Sequence, residues 1–254
     1  MPLVLHRGKD RRAVTAGFTL VELSVVVIMM GVLTALLLPA LSTAKEKSRR
    51  AVCQSNIHQL LLVLDTYALD NQDILPSATD DKGYYHSILL SDQTFTNLVE
   101  LAGNSSNIFY CPNIVFAAGE KSVMQHDPGY GYVIGYSYLA NAIITTSKGD
   151  DYWTSPTKIT DSPSNELIAD ANYWTPNSTA GSFPSGMKVA PHGAMGGALS
   201  HGSSFTLGLG GQNSAAVGAV GGNVGFLNQS ITWRNINQMQ THPASSQLDG
   251  YGNW

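Results

Sequence analysis

The nineteen residues from Leu23 to Leu41 carry no charge, and no other stretch of this 254-residue chain constrains it as tightly. A helix over them, at about 1.5 Å of rise per residue, is close to 30 Å long, the thickness of a bilayer's hydrocarbon core. One carboxylate, Glu22, stands at the start of the run, behind Phe18-Thr19-Leu20-Val21. A basic leader with Arg7, Lys9, Arg11 and Arg12 precedes it and ends at Gly17. A chain of this kind begins as a membrane-inserted precursor.

Three uses of the segment compete. It can be a plain transmembrane anchor. It can be a secretory signal cut at Ser42-Thr43-Ala44, but such signals need an apolar core of only about 7–15 residues, and this one is longer. The third use rests on the residues at its start. Gly17-Phe18-Thr19-Leu20-Val21-Glu22 resembles the recognition sequence of type IV prepilins and type II secretion pseudopilins. The resemblance implies that a membrane prepilin peptidase cuts after Gly17 and methylates the new N-terminal Phe18. Glu22 is then the fifth residue of the mature chain, and Pro39 stands where pilins commonly carry a helix-kinking proline. The third reading is the one adopted.

Glu22 has two readings of its own. It lies near one end of the apolar run, so it can reach the interface. An acid inside an apolar segment nevertheless calls for a partner. Cleavage frees one new cation nearby, the amine of Phe18, either its own or, as the resemblance implies, that of a neighbouring subunit. An unpaired carboxylate is penalised in a low-dielectric bundle, so such a pair fixes axial register.

Charge excludes one class of function. From Ala51 onward there are six basic residues against fifteen acids, a net of −9. Phosphate neutralisation needs clustered Lys and Arg, so nucleic acid is not an expected partner. The leader and the Lys45–Arg50 segment each carry +3, which balances the positive-inside bias. Only the prepilin resemblance, with its cytoplasmic leader, sets the head outside the cytoplasm.

Helical character continues past Leu41. Ser42 to Arg50 is polar but rich in helix formers, and Ile57, Leu60, Leu61, Leu64 and Ala68 then form one apolar stripe. Lys45, Lys47, Arg49, His58 and Asp65 are left to face water. One helix from Phe18 to about Asp70 is expected, kinked at Pro39, with its second half laid against a head. A short helix over Thr94–Ala102 should end at Gly103. Ile108-Phe109-Tyr110, Tyr130 to Thr145 and Glu166 to Ala171 have strand composition. A late hairpin is expected to turn at Asn228-Gln229, with Val224, Phe226, Ile231 and Trp233 on one face. Residues 190–225 are rich in Gly, Ala and Ser. The fold class expected is α+β and pilin-like: a leader (1–17), a long helix (18–70) and an antiparallel sheet head with long loops (71–254).

The resemblance extends into that head. Cys53-Gln54-Ser55-Asn56 with Gln59, Tyr67 and the Asp/Asn run to Pro76 is similar to the block after the membrane helix in a large subgroup of pseudopilin-like proteins. Phe109-Tyr110-Cys111-Pro112 resembles their second cysteine block, and Tyr136-Ser137-Tyr138-Leu139-Ala140-Asn141 their next strand. Their final motif, Asn-Val-x-Phe-x-Asp-Gly-His-Val, is met by Asn223-Val224-Gly225-Phe226, but Asn228-Gln229-Ser230 replaces its Asp-Gly-His. A head outside the cytoplasm lies in an oxidising compartment. There Cys53, on the helix, and Cys111, ending a segment expected to cross it, are read as a disulfide; the alternative is two buried free thiols.

No catalytic grouping is visible, and no enzyme activity or cofactor is expected. Gly208-x-Gly210-Gly211 lacks dinucleotide-loop spacing. His192 and His201 have no Glu or Cys at zinc-site spacing, so no metal site is assigned. The pairs Asp80-Asp81 and Asp150-Asp151 offer oxygens for Ca²⁺, though acidic pairs in loops are usually just solvated. Tyr130, Tyr132, Tyr136, Tyr138, Trp153, Tyr173 and Trp174 divide between a glycan surface and the core. The function expected is structural: a single-pass inner-membrane precursor whose head reaches the periplasm or the cell exterior. The resemblance implies as partners the prepilin peptidase, identical and related pilin subunits in a filament, and an inner-membrane assembly platform. A pseudopilin is the first reading. An adhesive pilin, or an anchored or secreted glycan-binding module, is the alternative.

Overall fold

The computed structural model describes residues 17–114, 126–142, 153–174, 188–193, 198–200, 215, 218–246 and 250–254. A helix, α1, runs from Leu20 to Asp70. Thr19 and Glu22 start it by a reciprocal capping box. The Glu22 amide donates to Thr19 Oγ1 (3.2 Å) and the Thr19 amide to Glu22 Oε2 (2.9 Å), which satisfies two of the donors a helix start leaves open. The helix continues through Pro39. At the far end the Ala68 carbonyl accepts from both Asn71 and Asp73. Gln72 and Asp73 take positive φ (59° and 64°) and turn the chain away without a glycine.

The chain divides into two compact units at Leu41/Ser42, inside this helix. In the first, every described residue from Gly17 to Leu41 is exposed. Ser24 Oγ and Thr34 Oγ1 donate to the helix's own carbonyls at Val21 and Met30, so neither hydroxyl needs water.

The second unit is the head. Its strands are β1 (Leu89–Leu90), β2 (His126–Asp127), β3 (Gly131–Val133), β4 (Tyr136–Tyr138), β5 (Glu166–Asp170), β6 (Tyr173–Trp174), β7 (Lys188–Ala190), β8 (Ala198–Ser200), β9 (Gly221–Phe226), β10 (Ile231–Asn235), β11 (Thr241–Pro243) and β12 (Tyr251–Asn253), with helix α2 at Asp92–Leu101. Among the described residues they form three sheets of order β1-β3-β2, β10-β9-β5-β4 and β11-β12-β6-β7-β8. All the pairings are antiparallel. The apolar stripe of α1 is buried as its spacing required, with Ile57, Leu60, Leu61, Leu64 and Ala68 at most 1 % exposed. Strand β9 meets that stripe at Gly225, where a Cβ would come within 2.8 Å of Ile57 and 3.1 Å of Leu61. Only a residue without a side chain lets the sheet approach the helix so closely.

Three local expectations are corrected. Helix α2 begins two residues earlier than Thr94, at Asp92, because the hydroxyl of Ser91 caps it by accepting from the Thr94 amide. Ile108 and Phe109 lie in a 3-10 turn, Asn107–Phe109, rather than a strand. That segment's amides bond backward within the turn, Phe109 N–H to the Ser106 carbonyl. The β9–β10 hairpin closes between Phe226 and Ser230, leaving a three-residue loop with Gln229 at φ 66°. The expected Asn228-Gln229 turn is one residue shorter. The extra residue shifts register by one, so Ile231 faces Gly225 and Trp233 faces Asn223. A one-residue slip moves every side chain to the other face.

Candidate functional site

The residues at the start of the apolar run are open to solvent. Gly17 to Thr19 is non-helical and exposed, nothing lies within 4 Å of a Cβ built on Gly17, and Phe18 is 77 % exposed. Glu22 has a local role that sequence reading passed over: it is the far half of the capping box with Thr19. The Thr-x-x-Glu spacing carried that signal. Among the described residues α1 is the one helix long and apolar enough to cross a membrane.

The head holds a buried polar centre. Cys53 comes from α1, Cys111 follows the 3-10 turn, Asp170 ends β5 and His192 follows β7. One ligand atom from each lies within 4.8 Å of all the others, and all four residues are buried. The disulfide expected between Cys53 and Cys111 is not formed. Both are free thiols with Sγ atoms 2.9 Å apart, against about 2.05 Å for bonded sulfurs. The sulfurs share their pocket with a carboxylate and an imidazole instead of facing each other alone.

Two of the members, His192 and Asp170, are held from behind. His192 Nδ1 lies 2.9 Å from Glu46 Oε1, and Asn113 Nδ2 donates to Glu46 Oε2 at 2.7 Å. Arg50 Nε donates to Glu46 Oε1 at 2.9 Å, and its guanidinium lies over the Trp233 ring. Asp170 Oδ2 accepts from the Asn223 backbone amide and side chain at 2.6 and 2.9 Å. His192 Nε2 is 3.2 Å from that same oxygen but out of line for a hydrogen bond.

Burial raises the Cys53 thiol, and its contact with Cys111 raises it further. Burial also pushes Cys111 upward, but the neighbouring Cys53 thiol and His192 imidazole outweigh it and bring that thiol down. Burial alone would lower His192; Asp170 and Cys111 override it and push the imidazole up to about 11. Glu46 ends below the ordinary carboxylate value because Arg50, His192 and Asn113 together outweigh its burial.

Sequence spacing set His192 apart from any thiol or carboxylate, yet the fold brings Glu46 to it from 146 residues away. Glu46 was missed altogether. Its signal was position: seven residues before Cys53, it extends the buried face of α1 by two turns.

The other candidates are placed as follows. Asp80 Oδ1 accepts from the Lys82 and Tyr84 amides, and Asp81 Oδ1 from the Asp92 amide. These carboxylates organise backbone. Asp150-Asp151, His201 and Gly208–Gly211 lie outside the described residues. Tyr136, Tyr138, Tyr173 and Trp174 are buried, and Tyr130, Tyr132 and Trp153 are half-buried.

No protein family model matches the chain, and no solved structure does. The type II secretion system core protein G of Klebsiella michiganensis is 44 % identical over 61 residues, 24 % of this chain and 43 % of that protein. The protein of the same name from Pseudomonas aeruginosa is 36 % identical over the same length and the same shares. The chain thus spans less than half the length of these relatives. A fimbrial protein of Pseudomonas aeruginosa is 28 % identical over 176 residues, 66 % of this chain and 96 % of that protein. With a long apolar N-terminal helix and an antiparallel sheet head, the chain is similar to relatives of these two kinds, type II secretion core proteins G and a fimbrial protein.

Proposed function

We propose that the protein is a structural subunit of a pilus-like filament, of the type II secretion pseudopilin kind, cut after Gly17 by a prepilin peptidase and stacked through its apolar helix. The carrying observation is that residues 17–41 expose every side chain while the helix satisfies its own hydroxyls. A surface of that size and kind requires lipid first and other apolar helices afterwards. The precursor spans the inner membrane once. Its partners are the peptidase, like and related subunits, and an assembly platform that lifts subunits from the membrane. The function involves no catalysis.

Glu22 makes the reading testable because its two roles separate. Gln at the third helical position still accepts the Thr19 amide, as in any capping box, but carries no charge. Glu22→Gln should therefore be processed to an N-methylated Phe18 terminus and stay in the membrane, yet fail to enter filaments, as should Glu22→Ala. Filaments at the wild-type level from Glu22→Gln would remove the charge-pairing role. Mass spectrometry finding a Lys45 terminus would put a secretory signal in place of the prepilin leader, and an intact Met1 would leave a plain anchor.

A further inference from the structure

One group of metal-ligating side chains comes together among the described residues, and the filament role makes no use of it. We propose that Cys53, Cys111, Asp170 and His192 bind one divalent transition-metal ion of the zinc type as a closed four-ligand site that ties α1 to the sheets of the head.

The donor set is two sulfurs, one imidazole nitrogen and one carboxylate oxygen, drawn from four separate segments and wholly buried. Two of its atoms, His192 Nε2 and Asp170 Oδ1, are buried without a hydrogen-bond partner. Buried polar atoms are rarely left so, and each case asks for a reason. A metal ion supplies it for both atoms at once. Zinc bonds of about 2.3 Å to sulfur and about 2.0–2.2 Å to nitrogen and oxygen set tetrahedral ligand edges at about 3.3–3.8 Å. His192 Nε2 already lies 3.2 Å from Oδ2 of the Asp170 carboxylate, the oxygen next to the unpartnered Oδ1, and the sulfurs, at 2.9 Å, need to part by less than about 1 Å.

The residues behind the ligands are those a metal centre uses. A donor at Nδ1 of His192 finds the Glu46 carboxylate, which fixes the ring and leaves Nε2 for the ion, the carboxylate–histidine–metal arrangement. Asn223 holds Asp170 in the same manner. Both thiols and the Nε2 position give up their protons to solvent as the ion enters, so binding weakens in acid. A Cys53–Cys111 disulfide, by contrast, accounts for two of the four groups and leaves the unpartnered atoms of His192 and Asp170 as they are.

The test uses the full mature chain in detergent. Protein isolated without chelator should contain one zinc ion per chain by elemental mass spectrometry. After chelation and reduction, added Co²⁺ should give thiolate-to-cobalt charge transfer and the visible bands of a tetrahedral centre, saturating at one equivalent. Cys53→Ser and Asp170→Asn should lose or shift those bands. Should either fail to fold, Glu46→Gln keeps all four ligands and should bind about 10–100-fold more weakly. A natively folded wild type without cobalt bands would overturn the proposal. So would isolated protein carrying no metal and a Cys53–Cys111 disulfide on non-reducing peptide mapping.

Discussion

Two stretches of α1 are both rich in Val, Leu and Ile and have opposite fates. From Leu20 to Leu41 the apolar residues occupy every side of the helix, and all are exposed. From Cys53 to Ala68 all of them but Leu62 lie on one stripe, which is buried, while Gln54, Ser55, His58, Gln59 and Thr66 stay outside. Hydrophobicity alone therefore does not say where a segment is buried; its angular distribution does. A helix apolar all round has no polar face to give to water, so its proper surroundings are lipid or other helices. A striped helix buries one side on its own domain and is finished.

The sharpest way to break this contrast is to shave one leucine from each stretch and follow the head by tryptophan fluorescence, since all four tryptophans (153, 174, 233 and 254) lie in it. Leu61→Ala should cost the head about 2–5 kcal/mol, because a buried leucine leaves a cavity. Leu33→Ala should leave the head's unfolding midpoint unchanged and show its effect only in membrane retention or assembly. An equal loss of head stability from both would mean that the two stretches are not energetically separate.

A smaller effect is expected where the hairpin grips the second stretch. Gln229 sits at φ 66° and donates from Nε2 to Asp65 Oδ2 on α1 at 2.7 Å. Gln229→Gly relieves a left-handed conformation worth about 1–2 kcal/mol. It also loses a hydrogen bond to a carboxylate, worth about 1.5–3 kcal/mol, and adds glycine's chain entropy. The sum should be destabilising by about 1 kcal/mol in urea unfolding. A more stable variant would mean that the Asp65 contact contributes little.

The smallest effect concerns Asp65 itself, whose carboxyl is raised by burial and only partly relieved by Gln229. A raised folded value means that the charged form opposes folding at neutral pH, and that this opposition fades as pH falls through the folded value. Asp65→Asn should therefore raise the urea midpoint slightly at pH 7 and not at pH values below the ordinary carboxylate range. A gain that persists in acid would point to packing instead of charge.

Much of this architecture was legible because it rests on neighbours in sequence. The uncharged run, the three- and four-residue stripe and the glycine after α2 act over one or two helical turns, where periodicity and capping decide. Reading weakened where one residue set the outcome. The hairpin's faces turned on a loop of three residues instead of two, and Ile108-Phe109 was too short for composition to tell a turn from a strand.

The buried centre belonged to neither kind. Cys53, Cys111, Asp170 and His192 stand tens of residues apart, and nothing local links His192 to Glu46. What the sequence determined by itself was the helix, its membrane-suited half and its head-suited half, because those follow from the chemistry of adjacent side chains. Only the tertiary structure decided which polar groups are buried together. That depends on sheet register and on the close approach of β9 to α1 at Gly225, and packing settles both only when the whole head is assembled.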